Sequence, residues 1–350
     1  MLVSVLIPTH HRPARLAALL RALAGQTLAR DAYEVLVGFD GPDAEAAKVG
    51  LTAWREAGGG EIKAIECPRC GQAAVRNRLL EVARGETLVF LNDDMVPDAG
   101  FLAAHARAQA AAREGRRTGA IVVGASPWVR HADDRLFDRM VRETSMVFFH
   151  DRMDAPAARA DRDRDWGFRH AWMLNLSMPR DLVREVGGVT VFPSTYGYED
   201  DELAFRMQRA FGVPVLYRPE ATALHDHRLT ARAYLEREYK LGYAALGFAK
   251  TTPECAAALF GRDVASSDEA AYTRQFVKRE RGGASRAVAP FLETESLPAS
   301  TVDGPHAAEL LALAYGQHLP LKRWVWRSGL LGAIEGESMD AAGMVASVLG

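Results

Sequence analysis

The chain opens on an alternation of short apolar runs and helical stripes. Leu2 to Ile7 is apolar and β-branched and closes at Pro8, the pattern of a buried strand. Leu16, Leu19, Leu20 and Leu23 then recur at helical spacing. Tyr33 to Phe39 reads as a second strand, ending at Asp40 and the turn Gly41-Pro42. Glu61 to Ile65 gives a third. Gln72 to Ala83 is helical, with Val75, Leu79, Leu80 and Val82 as its apolar positions. Thr87 to Leu91 is a buried strand running into Asn92-Asp93-Asp94, followed by a helix over Ala99 to Ala112 and a strand over Ala120 to Gly124. Repeated strand–helix–strand units predict an α/β fold with a mostly parallel central sheet and helices on both faces. Ligands of such sheets bind beyond the carboxyl ends of the strands, and Asp40 and Asp94 fall there.

From Ser126 to Arg169 the pattern loosens. Arg159 to Arg169 alternates charges around Trp166, either a solvated loop or a flap beside a polar substrate. Trp172 to Met178 is strand-like and precedes Pro179, a good first helical residue. Asp201 to Phe211 is helical and stops at Gly212 and Pro214; Val215 to Tyr217 and Ala221 to Leu224 are short strands. Beyond Thr230 the pattern is almost wholly helical, including Ala231 to Lys250 and Pro305 to Ala314, with Gly282-Gly283 read as a loop. Composition adds limits. With 48% hydrophobic residues over 350 positions a sizeable core is available, and a net charge of -2 gives no global pull toward nucleic acid. Three cysteines suit a reducing compartment, so a cytoplasmic protein is expected. The first apolar run lacks a basic region before it and reads as a strand, not a signal peptide. No stretch approaches the roughly 20 apolar residues of a membrane helix. Cys67-Pro-Arg-Cys70 has no second pair to complete a zinc site, and Gly58-Gly59-Gly60 lacks the lysine of a phosphate-binding loop.

Three constellations carry candidate chemistry. Asn92-Asp93-Asp94 sits at a strand tip, where carboxylates either form a turn or hold a divalent cation against a diphosphate. Tyr198-Glu199-Asp200-Asp201-Glu202 is either an acidic first helical turn or a loop presenting a general base; the helix explains Asp201 and Glu202 better than Glu199 and Asp200. Leu224-His225-Asp226-His227 follows a short strand. Its histidine is either a partly exposed strand end or a second ligand to a metal held by Asp94, a mixed shell that suits Mn2+ and Mg2+.

Taken in order, these segments resemble the family 2 glycosyltransferases, which have the GT-A fold. Val3 to Thr9 with Arg12 looks like the family's first strand and nucleotide-contacting loop, and Glu34 to Asp40 like its second strand. Gly71 to Asn77 is similar to the G-x-x-x-A-R-N segment, with Val75 where alanine is usual. Gly85 to Pro97 resembles the strand carrying D-x-D, with Asn92 in place of the first acid. Tyr198-Glu199-Asp200 through Arg206 is similar to E-D-x-x-L-x-x-R. The resemblance spans Leu2 to His227. It implies a GT-A domain over 1–229, with a nucleotide-binding half over about 1–125 and an acceptor half over 126–229, then a mainly helical extension over 230–350. It implies inverting, metal-dependent transfer of a sugar from a nucleotide-diphosphate sugar, with uridine as the family's usual base, to a hydroxyl of a glycan or small molecule.

The resemblance also distributes roles. Asp200 is the base and Glu199 its companion at the sugar; Asp94 and His225 hold Mn2+ or Mg2+, with His227 in reserve. Pro8, Thr9, Arg12, Asp40, Arg76, Asn77, Asn92 and Asp93 face the donor, and Trp166, Asn175 and Tyr198 the acceptor. The helical tail could pair subunits or, through Trp324 and Trp326, touch a membrane surface. Two rivals exist: a nucleotidyltransferase, whose glycine-rich basic loop is replaced here by His10-His11-Arg12-Pro13, and a catalytically silent sugar-nucleotide-binding or scaffolding module, which Asn92 favours and Asp94, Glu199-Asp200 and His225 oppose.

Overall fold

The described residues of the computed structural model are 2–116, 118–193 and 197–349. In chain order the elements begin β1 (Val3–Thr9), α1 (Pro13–Ala24), β2 (Tyr33–Asp40), α2 (Ala44–Glu56), β3 (Ile62–Cys67), α3 (Gln72–Val82), β4 (Thr87–Leu91), β5 (Met95–Pro97), α4 (Phe101–Arg116) and β6 (Ile121–Gly124). Three short helices follow, α5 (Leu136–Glu143), α6 (His150–Met153) and α7 (Pro156–Ala160). Then come β7 (Asn175–Pro179), α8 (Arg180–Glu185), α9 (Glu199–Phe211), β8 (Val215–Arg218) and β9 (Ala223–His225). The tail is helical: α10 (Ala231–Thr251), α11 (Pro253–Phe260), α12 (Ser267–Glu293), α13 (Ala307–Glu335) and α14 (Ala341–Leu349). The chain forms two compact units. The first holds Met1–Val129, Arg152–Val191 and Glu199–His227; the second holds Arg130–Asp151, Phe192–Tyr198 and Arg228–Gly350.

The first unit is a seven-stranded sheet in the order β3-β2-β1-β4-β7-β6-β8, beside a two-stranded sheet of β5 and β9. β1 pairs in parallel with β2 and β4, whereas β7 runs antiparallel to β4 and β6. Every residue of β1 and β4 is buried, which is why both read as unbroken apolar runs. The chain winds outward from β1 through β2 to β3, then returns to β4 on the other side of β1. That reversal opens a crevice at the carboxyl ends of β1 and β4. Gly38 in β2 lets α3 lie flat on the sheet, since a Cβ there would come within 2.4 Å of Val75. Asp43 caps α2 by accepting from the Ala46 amide at 3.0 Å. The expected strand at Trp172 to Met178 begins later, at Asn175, and Pro179 ends it and caps α8 instead of opening the helix.

The second unit is helical. α10 and α13 cross closely: a Cβ on Gly242 would come within 1.8 Å of the Trp326 carbonyl, and one on Gly329 within 2.0 Å of the Tyr239 carbonyl. The expected helix at Pro305 to Ala314 is only the start of α13, which runs on through Pro320 to Glu335. Gly282 and Gly283, expected in a loop, lie inside α12. Each glycine costs about 1 kcal/mol in a helix, and burial of Phe276, Ala284, Val288 and Phe291 along the same helix outweighs that. No helix among the described residues is long and apolar enough to cross a membrane.

Candidate active site

The crevice is built from the loop after β1, the tip of β4 and the two-stranded sheet. The loop after β1 is strained at His11, a non-glycine residue at φ 51°. Asp43 holds it there by accepting from the His11 amide at 2.8 Å. This turn aims Arg12 at the tip of β4, where its Nη1 donates to Asp93 Oδ1 and Asp94 Oδ2, each at 3.0 Å. The Thr9 hydroxyl donates to the other oxygen of Asp93 at 2.7 Å. Burial pushes the Asp93 carboxyl up, against the pull of Arg12. Asp40 ends β2 beside this loop; its Oδ1 accepts from the Cys70 and Gly71 amides at 2.7 and 3.1 Å, and its carbonyl lies 2.8 Å from His10 Nδ1. Pro8 stays within β1, level with Gly38 of β2.

The pairing of β5 with β9 carries His225 to Asp94. Met95 is in register with His225, and the Asp226 amide donates to the Asp94 carbonyl at 2.8 Å. His225 Nε2 then lies 3.7 Å from Asp94 Oδ1, and His227 Nδ1 lies 3.3 Å from Oδ2. Burial alone would raise the Asp94 carboxyl, but the two imidazoles outweigh it and hold it well below the usual carboxylate range. Asp94 Oδ1 is buried and accepts no hydrogen bond among the described residues. Two ligands about 2.1 Å from one ion span separations of 3–4 Å, so the Oδ1 and Nε2 pair fits a hard divalent cation. Among the described residues no three His, Cys, Asp or Glu side chains are closed into a metal cluster.

A second polar knot joins the β4 tip to α9. Arg76, buried in α3, donates through Nη2 to Asn92 Oδ1 at 2.9 Å and places Nη1 3.7 Å from Glu199 Oε1. Gln72 Nε2 donates to the same Glu199 oxygen at 2.6 Å. Asp200 Oδ2 accepts from the Met173 amide at 3.0 Å. All four acids, Glu199 to Glu202, lie in the first turn of α9, the helical one of the two alternatives, where helix amides favour anions. Burial first, and the Glu199 charge second, push the Asp200 carboxyl up to about 7. Asp201 is raised in the same way, to about 8.

Several expected contacts are used elsewhere. Asn175 is buried, its Nδ2 donating to the Ala125 and Ala221 carbonyls and its Oδ1 facing His105 Nε2. Its amide is spent clamping the sheet, so it offers nothing to an acceptor. Asn77 closes both ends of its amide on the Val189 backbone, at 2.7 and 2.8 Å, and is likewise a tie and not a donor contact. Trp166 packs partly buried on the core, with the Arg164 guanidinium 4.2 Å over its ring and His170 beside it. Asp165 anchors this charged segment by accepting from the Val215 amide at 2.9 Å. Tyr198 belongs to the second unit, stacked on Phe248 at 4.7 Å with its hydroxyl donating to the Leu241 carbonyl. Sequence reading missed Arg15, whose Nη1 stands 3.7 Å from Asp94 Oδ2. It also missed Gln72 and Trp128, whose ring lies 4.1 Å from that of His225. Arg15 was findable, a second arginine in the first turn of α1 three residues after the N-cap Arg12; Trp128 gave no local signal.

Residues 4–155 match the model of glycosyl transferase family 2. No curated protein sequence matches the chain. Among solved structures, the mannosyltransferase PcManGT from Pyrobaculum calidifontis, in complex with GDP-Man and Mn2+, is similar at 18% identity and a TM-score of 0.53, over 95% of this chain and 86% of that one. S. aureus TarS 1-349 in complex with UDP-GlcNAc is similar at 15% identity and a TM-score of 0.48, over 96% and 93%. The matched segment covers the β1, β2 and β4 tips that carry the crevice, and the first likeness speaks for a GT-A fold.

Proposed function

We propose that the protein is an inverting, divalent-metal-dependent glycosyltransferase that moves a sugar from a nucleotide-diphosphate donor, UDP-linked by preference, to an acceptor hydroxyl. The observation that carries the reading is Arg76. It ties Asn92, two residues from Asp94, to Glu199, the neighbour of Asp200, and so draws the cation end and the acid end of the site toward one buried guanidinium. Asp94 and His225 would hold the ion. Mn2+ or Mg2+ supplies charge neutralisation for the departing diphosphate. Asp200, with its carboxyl raised to about 7, takes the proton from the attacking hydroxyl. Gln72 and Arg76 hold Glu199 in place beside it. Arg12 and Arg15 set two guanidiniums at the β4 tip, suited to a phosphate. Asp40 orders the turn into α3, beside the nucleotide loop. The cysteines Cys67, Cys70 and Cys255, which form no disulfide among the described residues, support a cytoplasmic setting.

The test is a donor panel with metal-stripped protein. Transfer and donor hydrolysis should appear on adding Mn2+ or Mg2+ and vanish in chelator. Full activity in chelator would remove the metal from the scheme.

A further inference from the structure

The second unit holds a cavity of about 470 Å³ that the transfer chemistry does not use. Its wall is cationic. Arg262, Lys322, Arg323 and Arg327 line it, and Glu238 is the one carboxylate among its described lining residues. Glu238 is shared, accepting from Arg237 Nη1 at 2.7 Å and standing 3.6 Å from Lys322 Nζ. Behind the wall Glu269 is divided between Arg262 Nε and Arg327 Nη1, each at 2.9 Å. Arg323 is exposed and makes no ion pair among the described residues. Among the described residues, Glu238 and Glu269 therefore answer the four lining cations. Burial pulls Lys322 below its ordinary value, and the nearby Arg237 charge adds to this. Arg327 is lowered too, by burial first and by Arg262.

The remaining wall is flat and apolar. Tyr272 is 46% exposed, with the Arg327 guanidinium stacked 4.5 Å from its ring. Arg262 lies 5.8 Å over Trp326. Guanidinium and ammonium groups around one hollow match an anion with several oxygens, and phosphate offers more than one face to such a set. A single hollow of this volume suits a small ligand, while a nucleic acid would need a basic stripe along the surface.

We propose that this cavity binds a phosphate-bearing saccharide, with Lys322, Arg323 and Arg327 on the phosphate and Tyr272 and Trp326 against the sugar ring. The saccharide part rests on the glycosyltransferase reading; the anion part stands on the charges alone. Calorimetric titration of the full chain with mannose 6-phosphate, mannose and inorganic phosphate tests it, with Arg323→Glu, Lys322→Met and Asp94→Ala beside the native protein. Mannose 6-phosphate should bind more tightly than inorganic phosphate, and mannose not at all. Either cavity variant should weaken it about tenfold, and Asp94→Ala should leave it unchanged. Arg323 is exposed, so its variant keeps the test open if Lys322→Met does not fold. Equal binding by the native protein and both variants overturns the proposal, as does loss only in Asp94→Ala. Equal affinity for mannose or inorganic phosphate overturns the phosphosaccharide assignment. Binding to phosphatidylglycerol vesicles that Arg323→Glu abolishes, without any binding of mannose 6-phosphate, assigns the cavity to a lipid headgroup and overturns it too. The titration reads no transfer, so an inactive enzyme that still binds mannose 6-phosphate would overturn the transfer reading alone.

Discussion

Replacing Asp200 by asparagine separates catalysis from stability. The carboxyl is raised from 3.8 to about 7, so the folded protein keeps a proton that the unfolded chain gives up as pH climbs through about 4. Stability from this group is therefore full below pH 4 and is lost as pH rises toward 7. The whole displacement corresponds to about 4 kcal/mol. Asp200 is only partly buried by its own surface, and water screens part of the effect, which leaves about 2 kcal/mol. Asparagine carries no charge and can still accept from the Met173 amide. The variant should thus match the native protein at pH 4 and exceed it by about 2 kcal/mol at pH 8. Urea unfolding followed by circular dichroism at both pH values measures this. Transfer by the variant should fall at least about a hundredfold, the contribution of a placed base, with donor affinity nearly unchanged. Native transfer should rise with pH through about 7 as Asp200 loses its proton. A variant that gains the same stability at pH 4 and pH 8 would refute the protonated carboxyl, and one that keeps most of its rate would refute the base.

Two further substitutions probe other parts of the molecule. His225→Ala should lower Mn2+ affinity by at least the roughly 10–100-fold that loss of an outer-shell partner costs, while His227→Ala, the more exposed of the two, should have a small effect; calorimetric Mn2+ titration in which His227→Ala does the greater damage would hand the ligand role to His227. Gly242→Val should force α10 from α13, since its Cβ would meet the Trp326 carbonyl at 1.8 Å, and cost about 3 kcal/mol; an unchanged urea midpoint would show that the helices do not cross this closely.

What was legible in the sequence follows from the range of the interactions. β1, β2 and β4 read correctly because nearly every residue is buried, so composition alone marks them. Their tips placed Asp40 and Asp94 at the crevice for the same reason. The three-residue β5 is too short to leave a pattern, yet its register with β9 is what sets His225 against Asp94. The resemblance suggested that meeting, whereas local periodicity had no means to reach it. Asn77 and Asn175 failed as ligand contacts because residue type does not reveal a partner: each amide is saturated by carbonyls and amides more than 40 positions away. Gly282-Gly283 misled for the opposite reason, a local preference overruled by burial along the rest of α12. The acidic run was ambiguous because one charge pattern serves two ends. A helix N-terminus stabilises the four carboxylates of α9 as a group; Glu199 and Glu202, the more buried pair, face Arg76 and Arg206, whereas burial and neighbouring acids raise Asp200 and Asp201. One acidic turn therefore holds both ion-paired and raised carboxyls, and the cations that the fold brings to each, which no sequence pattern records, separate the two.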